Sequence, residues 1–208
     1  EASGTLASTA YAESINYTWY LADTLAASIG QSYNEFTPIQ MARYISMIAN
    51  GGKNVDVTLI KSIINSDGSE VPKEDVENYI DNKLGTKNEV EEDLNISEEN
   101  LQAIRQGMKG VTSEAGGTAY SYFTDLDMVI AGKTGSAQTQ DEDTVHAWFA
   151  GFAPYENPEI AVVVFIEGGA SGGYTAYTAK QIIKEYFGMD SEKITEDKSA
   201  ESSVESVR

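Results

Sequence analysis

The sequence predicts an α+β fold, an antiparallel sheet covered by helices, and two observations carry that prediction. Residues 36–49 and 97–111 place apolar side chains at helical spacing, and three later segments are strand-like and separated by short turns. A further helical pattern over 176–187 follows the last strand. A run of adjacent strands flanked by helices is the order expected of domains in which helices pack on an antiparallel sheet.

The first helix is predicted over 36–49. Thr37 is suited to the N-cap position and Pro38 to the first helical position. The run Asn50-Gly51-Gly52 stops the helix. The predicted apolar stripe consists of Ile39, Ala42, Tyr44, Ile45, Ile48 and Ala49.

A short strand over 55–64 and a turn at 65–68 are predicted next. The segment 66–99 holds twelve acidic residues and three lysines, and we expect it to be an acidic, partly helical insertion. Ser97 then caps a second amphipathic helix that runs to about residue 111. Its predicted apolar stripe is Leu101, Ile104, Met108 and Val111.

Three strands are predicted over 128–138, 145–153 and 160–166. A hairpin tip at 140–144 joins the first two, and a turn at 154–158 joins the last two. The last two strands are apolar nearly throughout, so we expect helices on both faces of the sheet.

The closing helix is predicted over 176–187, with its apolar side at Ile182, Ile183, Tyr186 and Phe187. From Met189 onward the sequence is polar and acidic. We therefore expect residues 1–188 to belong to one domain and residues 189–208 to be a disordered acidic tail.

The composition limits the classes of function. The net charge of −19 argues against nucleic acid as a partner, since phosphate binding needs a basic face. The absence of cysteine excludes disulfides and thiol catalysis within this chain. His146 is its one histidine, so we predict neither a metal site nor a cofactor. No apolar run approaches the ~20 residues of a membrane helix.

Lys133-Thr134-Gly135-Ser136 is the most informative tetrapeptide, and it lies on the first of the three predicted strands. Gly132-Lys133-Thr134 also matches the end of a P-loop. That motif requires glycine where this chain has Asp127, and its lysine opens a helix rather than continuing a strand. We therefore reject a P-loop.

Six stretches in series resemble class B penicillin-binding proteins, for which Lys-Thr-Gly is one signature. They are Ser28-Ile29-Gly30-Gln31-Ser32; Thr37-Pro38-Ile39-Gln40 with Asn50-Gly51-Gly52; Gly116-Gly117-Thr118-Ala119; Lys133-Thr134-Gly135-Ser136-Ala137-Gln138-Thr139; His146-Ala147-Trp148-Phe149 with Gly151-Phe152-Ala153-Pro154; and residues 160–167. The resemblance implies the penicillin-recognising serine acyltransferase fold shared with β-lactamases. It also implies that residues 1–188 are the C-terminal part of the transpeptidase domain.

The resemblance implies roles for four residues. Lys133 would contribute positive potential and hydrogen bonds within a serine/lysine network. The hydroxyls of Thr134 and Ser136 would face the carboxylate of D-alanyl-D-alanine or of a penicillin. The Ser136 N–H would be one donor to the oxyanion, and Gly135 would let the substrate lie close to a strand edge with which it could pair.

The chain departs from the family in two respects. Ser136 stands where the family more often has threonine, although serine keeps the hydroxyl and the N–H. No Ser-x-x-Lys occurs, and the Ser-x-Asn strings at 14–16 and 32–34 lie too close to the Gly30 segment to be the family's motif. We expect the nucleophile, its lysine and the Ser-x-Asn loop to lie upstream of Glu1, and the present chain to be inactive alone.

Other candidate residues have competing interpretations. The segment Gly169-Ala170-Ser171-Gly172-Gly173 matches a hydrolase nucleophile elbow. That fold needs a histidine after the serine, whereas His146 precedes it. The elbow also leads straight into a helix, whereas residues 174–175 are predicted to intervene here. We interpret the segment as a glycine-rich loop beside the Lys-Thr-Gly site.

The histidine and the aromatic residues near the start of the chain are given structural interpretations. His146 is predicted to pack and hydrogen-bond rather than to catalyse. Tyr17, Trp19 and Tyr20 are predicted to pack in the core. The adjacent carboxylates Asp141, Glu142 and Asp143 are interpreted as a solvated hairpin tip, because acid–base catalysis needs facing groups.

The preferred interpretation is a D,D-transpeptidase that crosslinks bacterial peptidoglycan through a serine ester. The partners implied by the resemblance are the upstream half of the domain, peptidoglycan stem peptides, β-lactams and a membrane glycosyltransferase. The implied location is the extracytoplasmic face of the cell membrane, with the anchor outside this chain. Two alternatives stay open: a β-lactamase or β-lactam sensor of the same superfamily, and a non-catalytic binding module with the penicillin fold.

Overall fold

The computed structural model of the chain describes residues 3–54, 57, 60–84, 94–139, 144–169 and 171–189. Its helices are α1 (Thr9–Ser14), α2 (Leu21–Ser28), α3 (Pro38–Ala49), α4 (Lys73–Leu84), α5 (Glu98–Ser113), α6 (Tyr120–Phe123) and α7 (Gly172–Tyr186). Its strands are β1 (Ala131–Gln138), β2 (Val145–Ala153) and β3 (Ile160–Ile166). Over these residues, none of the helices combines the length and the apolarity that crossing a membrane requires.

The three strands form one antiparallel sheet in the order β1-β2-β3, as the α+β prediction requires. The bounds of β2 and β3 are those predicted, whereas β1 starts three residues later than expected. It starts late because the Val129 carbonyl accepts from the Tyr155 N–H at 2.8 Å and not from a neighbouring strand. Residues 140–143 of the predicted hairpin tip lie outside the described residues.

One face of the sheet packs against α7, and α6 contributes Phe123 to the same cluster. Phe149, which is fully buried, stacks on Phe123 of α6 with ring centroids 5.6 Å apart. Val162 and Val164 lie on the same face, since residues two apart on a strand share a side. The helix α7 completes this cluster with Ala176, Ala179 and Ile183.

The opposite face packs against α3 and α5. Phe152 is fully buried at its centre and lies beside the ring of Tyr155. The helices contribute Ile45, Ile48, Ala49 and Met108 to this second cluster. The predicted covering of the sheet on both faces is therefore confirmed.

The predicted ends of α3 are confirmed. The Thr37 hydroxyl accepts from the Gln40 N–H at 3.3 Å, and the Gln40 side chain accepts in return from the Thr37 N–H at 2.9 Å. This reciprocal pair satisfies two backbone donors that a helix start otherwise leaves unpaired. Beyond Asn50, Gly51 and Gly52 adopt φ values of +87° and +88°, which glycine tolerates and other residues rarely adopt.

The helix α5 also begins at its predicted cap, because the Ser97 hydroxyl accepts from the Asn100 N–H. Leu101 and Met108 are buried as expected. Ile104 was predicted to be buried with them, but it is 43% exposed, since it lies on the flank of the helix turned away from the sheet. Near the end of α5, the buried Thr112 hydroxyl donates to the Ile130 carbonyl just before β1.

The apolar sides predicted for α3 and α7 are partly wrong. In α3, Ile39 and Tyr44 are exposed, and the core is reached by Ile45, Ile48 and Ala49. In α7, Ile182 and Tyr186 are 41% and 53% exposed. The buried side of α7 instead follows the spacing of three and four residues that includes Gly172, Thr175, Ala176, Ala179, Lys180 and Ile183.

The strand predicted over 55–64 is wrong for the residues that the structure describes there. Residue 57 and residues 60–63 lie outside any strand, and Ile64 forms only an isolated bridge to Glu70. The predicted turn is confirmed, because the Gly68 N–H donates to the Asn65 carbonyl. Part of the acidic segment forms α4, as predicted, and it buries Val76 and Ile80.

The aromatic residues at the start of the chain are not core residues. Tyr17 and Tyr20 are 36% and 59% exposed, so the prediction that they pack in the core is wrong. Their rings contact each other at a centroid distance of 6.1 Å, and Tyr17 contacts Tyr33 at 5.5 Å. The spacing of aromatic residues at 17–20 predicts that the rings contact one another, but it does not predict whether they are buried. The side chains of Leu21 and Leu25 on α2 are likewise exposed.

Candidate active site

The predicted site residues lie along β1, which is an edge strand of the described sheet. Thr134 shares a side with Gly132, where an added Cβ would strike the Phe149 ring on the α7 side of the sheet. Gly135 shares the opposite side with Lys133, and an added Cβ there would lie 3.3 Å from Trp148 Cβ. The alternation of strand side chains therefore separates the hydroxyl of Thr134 from the ammonium of Lys133.

Lys133 and Ser136 are exposed, and Thr134 and Gly135 are half-buried. The Lys133 ammonium donates to the carbonyl of Thr134 on its own strand, at 2.5 Å. A lysine ammonium on a four-carbon side chain can exchange such a contact for a nearby anion. Since β1 pairs only with β2 among the described strands, its outer edge can accept an added strand.

The Thr134 hydroxyl lies 2.7 Å from the hydroxyl of Thr118, which stands in the turn between α5 and α6. Local sequence patterns predict no such role for Thr118, because the two threonines are sixteen residues apart. The signal that could have found it is the glycine-rich stretch at 116–119, which precedes the strand in the series of family-like motifs.

The start of α7 lies directly behind β1. A Cβ added at Gly172 would lie 3.1 Å from Thr134 Cβ and 3.3 Å from the Gly135 carbonyl oxygen. A methyl group at residue 172 would force the helix or the strand to shift by a few tenths of an ångström. The position of the Thr134–Gly135 backbone therefore depends on the position of the α7 N-terminus against the sheet.

Ser171 is the N-cap of α7, and its hydroxyl accepts from the Gly173 N–H at 3.3 Å. The helix begins at Gly172, so the expectation that residues 174–175 intervene before it is wrong. The order of the chain still argues against a hydrolase elbow, because His146 precedes the serine. His146 Nδ1 instead accepts from the Gly168 N–H at 3.2 Å.

The structural interpretation of His146 is confirmed. Its ring packs edge-on against Phe165 with centroids 5.2 Å apart, and its Nδ1 anchors the loop that follows β3. Among the residues that the structure describes, no three histidine or carboxylate side chains gather as metal ligands would.

The two Ser-x-Asn strings serve local structure. Ser14 donates to the Tyr11 carbonyl within its own helical turn, at 2.7 Å. Asn34 accepts from the Ala7 N–H at 3.0 Å and donates to the Gln31 carbonyl at 3.1 Å, which links the segment before α1 to the turn after α2. These contacts support the interpretation that neither string is the catalytic motif.

A charged pair joins the two helices behind the site. Lys180 of α7 is 7% exposed, and its ammonium donates to both carboxylate oxygens of Asp125, which follows α6. The hydrogen bond from Lys180 is the main reason that the pKa of Asp125 lies below its ordinary value. Partial burial of the carboxyl opposes that shift without reversing it.

Comparison with protein families gives one match that spans most of the chain. Residues 5–187 match the penicillin binding protein transpeptidase domain. That range contains the whole described sheet and every residue of the candidate site.

Relatives and solved structures agree with this match. The chain is 30% identical over 185 residues to the peptidoglycan D,D-transpeptidase MrdA of Haemophilus influenzae, which covers 81% of this chain and 26% of that protein. It matches Pseudomonas aeruginosa PBP2, solved in complex with WCK 5153, with a TM-score of 0.71 and 32% identity over 89% of this chain and 38% of that one. A peptidoglycan synthase complex, described as coordinating polymerization and crosslinking, matches with a TM-score of 0.71 and 28% identity over 94% of this chain and 30% of that one.

Proposed function

The chain belongs to the penicillin-binding protein transpeptidase family, and from that membership we propose that it supplies part of a serine D,D-transpeptidase that crosslinks bacterial peptidoglycan. The observation that carries this proposal is that Lys133, Thr134 and Ser136 all lie on one edge strand, β1. The chain spans 26% of the length of the MrdA relative, so the activity is that of a larger protein.

The proposed reaction is acyl transfer through a serine ester. The serine hydroxyl attacks the carbonyl between the last two D-alanines of a stem peptide, its proton passes to a base, and the terminal D-alanine leaves as an amine. An amine of a second stem peptide then attacks the ester, which forms the crosslink and releases the serine. Both steps pass through a tetrahedral oxyanion that needs hydrogen-bond donors.

We assign four residues of β1 to that reaction. Lys133 supplies positive potential and a donor near the serine and its lysine. Thr134 and Ser136 present hydroxyls to the carboxylate of the terminal D-alanine, and the Ser136 N–H is one of the two oxyanion donors. Gly135 lets the peptide approach the strand edge closely. The support is the placement of all four on one accessible edge strand.

The nucleophile, its lysine and the Ser-x-Asn loop are assigned to an upstream half of the domain. Two surfaces suit contact with that half. Within the described chain β3 pairs with β2 alone, which leaves an apolar strand edge that proteins normally cover. The exposed Leu21 and Leu25 of α2 form an apolar side with nothing described against it. We expect residues 1–208 alone to turn over no D-Ala-D-Ala substrate.

The partners and location follow from the same proposal. The substrates are peptidoglycan stem peptides, β-lactams acylate the same serine, and a membrane glycosyltransferase supplies new strands at the outer face of the cytoplasmic membrane. The solved synthase complex that resembles this chain is described as joining polymerization to crosslinking, which supports a polymerase partner. A β-lactamase or sensor is not favoured, because the relatives are named as transpeptidases and penicillin-binding proteins.

Mass spectrometry of the complete protein after incubation with penicillin tests the proposal. We expect one penicilloyl adduct that persists for hours, carried by a Ser-x-x-Lys serine upstream of the present chain. An adduct on Ser171 would contradict the assignment of the nucleophile. Rapid hydrolysis would favour the β-lactamase alternative, and the lack of any adduct would favour a binding module.

A further inference from the structure

We propose that Thr118 is a positioning residue for the substrate carboxylate, acting through the hydroxyl of Thr134. This inference rests on the proposed function, since it assumes that the Thr134 hydroxyl faces the terminal carboxylate of a stem peptide or β-lactam. It adds a residue from outside β1, in the turn after α5, and gives that residue a defined effect on ligand binding.

The geometry that carries the inference is the 2.7 Å separation between the two hydroxyl oxygens. That distance is the usual one for an O–H···O hydrogen bond. Each hydroxyl can donate one proton and accept others, so either oxygen can be the donor in the ligand-free protein.

A bound carboxylate fixes the direction of this pair. An ionised carboxylate can only accept, so the hydroxyl that contacts it must donate its single proton to it. Thr134 then has no proton left for Thr118, and Thr118 must donate to the Thr134 oxygen. The result is a chain of two hydrogen bonds from Thr118 through Thr134 to the ligand, in which each bond polarises the next.

The backbone around Thr118 is built to hold it in place. The Gly117 N–H donates to the Glu114 carbonyl at 2.9 Å, and the Ala119 N–H donates to the Val111 carbonyl at 3.0 Å. Ala119 is fully buried. A Cβ added at Gly117 would strike the Val111 carbonyl oxygen at 2.4 Å, so only glycine fits this turn.

The effect of this arrangement is on binding of the carboxylate and not on the chemical step. Without the Thr118 hydroxyl, Thr134 can still donate to the ligand, but its orientation is no longer fixed and its oxygen loses a donor. The loss of one hydrogen bond of this kind weakens binding by about fivefold. The rate of acylation from the bound state should stay within about twofold, because Thr118 does not reach the reacting carbonyl.

The test is stopped-flow acylation of the complete protein by a fluorescent penicillin and by its methyl ester, resolving the dissociation constant from the acylation rate. We expect Thr118→Val to raise the dissociation constant for the penicillin about fivefold and to leave that for the ester unchanged. Thr118→Ser, which keeps the hydroxyl, should bind as the unaltered protein does. In a Thr134→Val background, Thr118→Val should have no further effect.

Other patterns overturn the inference. An equal loss for the acid and the ester, an effect that adds fully to that of Thr134→Val, or a fall in the acylation rate with binding unchanged would each show that Thr118 acts otherwise. If the unaltered protein forms no adduct with either compound, the proposed function itself fails, and this inference fails with it. That outcome differs from the first three, in which the unaltered protein is acylated.

Discussion

The Lys180 ammonium lies 2.7 and 2.6 Å from the two carboxylate oxygens of Asp125, and this pair joins α7 to the end of α6. The two partners are unequally buried, because the side chain of Lys180 is 9% exposed and that of Asp125 is 54% exposed. Leaving the Lys180 ammonium without a counterion therefore costs more free energy than leaving the Asp125 carboxylate without one, because water can solvate the carboxylate. Removing one partner should not have the same effect as removing the other.

Asp125→Ala is expected to destabilise the domain more than Lys180→Met does. The alanine variant leaves a buried ammonium without its counterion, and the cost should be about 1–2 kcal/mol, since the half-exposed site still admits water. The methionine variant removes the charge and keeps most of the buried chain. Thermal unfolding of the complete protein measures both, and equal shifts in midpoint would contradict the prediction.

The same pair predicts a dependence of stability on pH. The pKa of Asp125 is lowered in the folded protein, chiefly by the hydrogen bond from Lys180, from an ordinary value of about 3.8. A group with a depressed folded pKa contributes stability above its unfolded pKa, and that contribution disappears as the pH falls through the folded value. The Asp125→Asn variant lacks this contribution. Below pH 4 the difference in thermal unfolding midpoint between the unaltered protein and Asp125→Asn should narrow. A difference that stays constant down to pH 2 would contradict this prediction.

Gly172→Ala is expected to slow acylation by penicillin. The added methyl group would lie 3.1 Å from Thr134 Cβ, which is tighter than nine in ten Cβ contacts, so α7 or β1 must shift by a few tenths of an ångström. A displacement of that size at Thr134 should lower the second-order rate constant about tenfold, since catalysis requires closely fixed geometry.

Gly107→Ala is the matched control for that experiment. Gly107 lies within α5, and no atom of the described residues outside the backbone of that helix lies within 4 Å of a Cβ added there. Alanine is the better helix former by about 1 kcal/mol, so this variant should be slightly more stable and fully reactive. If Gly172→Ala is acylated at the unaltered rate, the helix and strand accommodate a methyl group. The position of α7 would then not determine the geometry of the site.

The elements best predicted from the sequence are those whose signals are local. The cap at Thr37, the glycines after α3 and the bounds of β2 and β3 depend on a few neighbouring residues, and all are confirmed. The side of α7 that is buried depends on how the helix is turned against the sheet. A stripe through Ile182 and Tyr186 is as apolar as the true one, and the sequence alone does not choose between them.

The candidate site divides in the same way. The four residues of β1 are contiguous, so a short motif and its neighbours are enough to single them out. The contacts of Thr134 with Thr118 and Gly172 come from a turn and a helix that are distant in sequence. The sequence also does not predict whether Tyr17 and Tyr20 are buried, because the same aromatic spacing is found in core clusters and in exposed ones.

Lys133→Met is expected to lower the rate of penicillin acylation by about a hundredfold, in the range found when one preorganised electrostatic contact to the reacting groups is removed. The substitution keeps most of the side-chain volume of an exposed residue, so stability should change little. Lys133→Arg keeps the charge and should retain more activity than the methionine variant, although its planar guanidinium cannot place donors where an ammonium does. Lys73→Met is the matched control, because Lys73 lies on α4 with its side chain 88% exposed and forms an ion pair with Glu77 of the same helix. If Lys133→Met acylates as fast as Lys73→Met, the ammonium has no part in the reaction, and the exposed edge of β1 serves at most to hold the substrate.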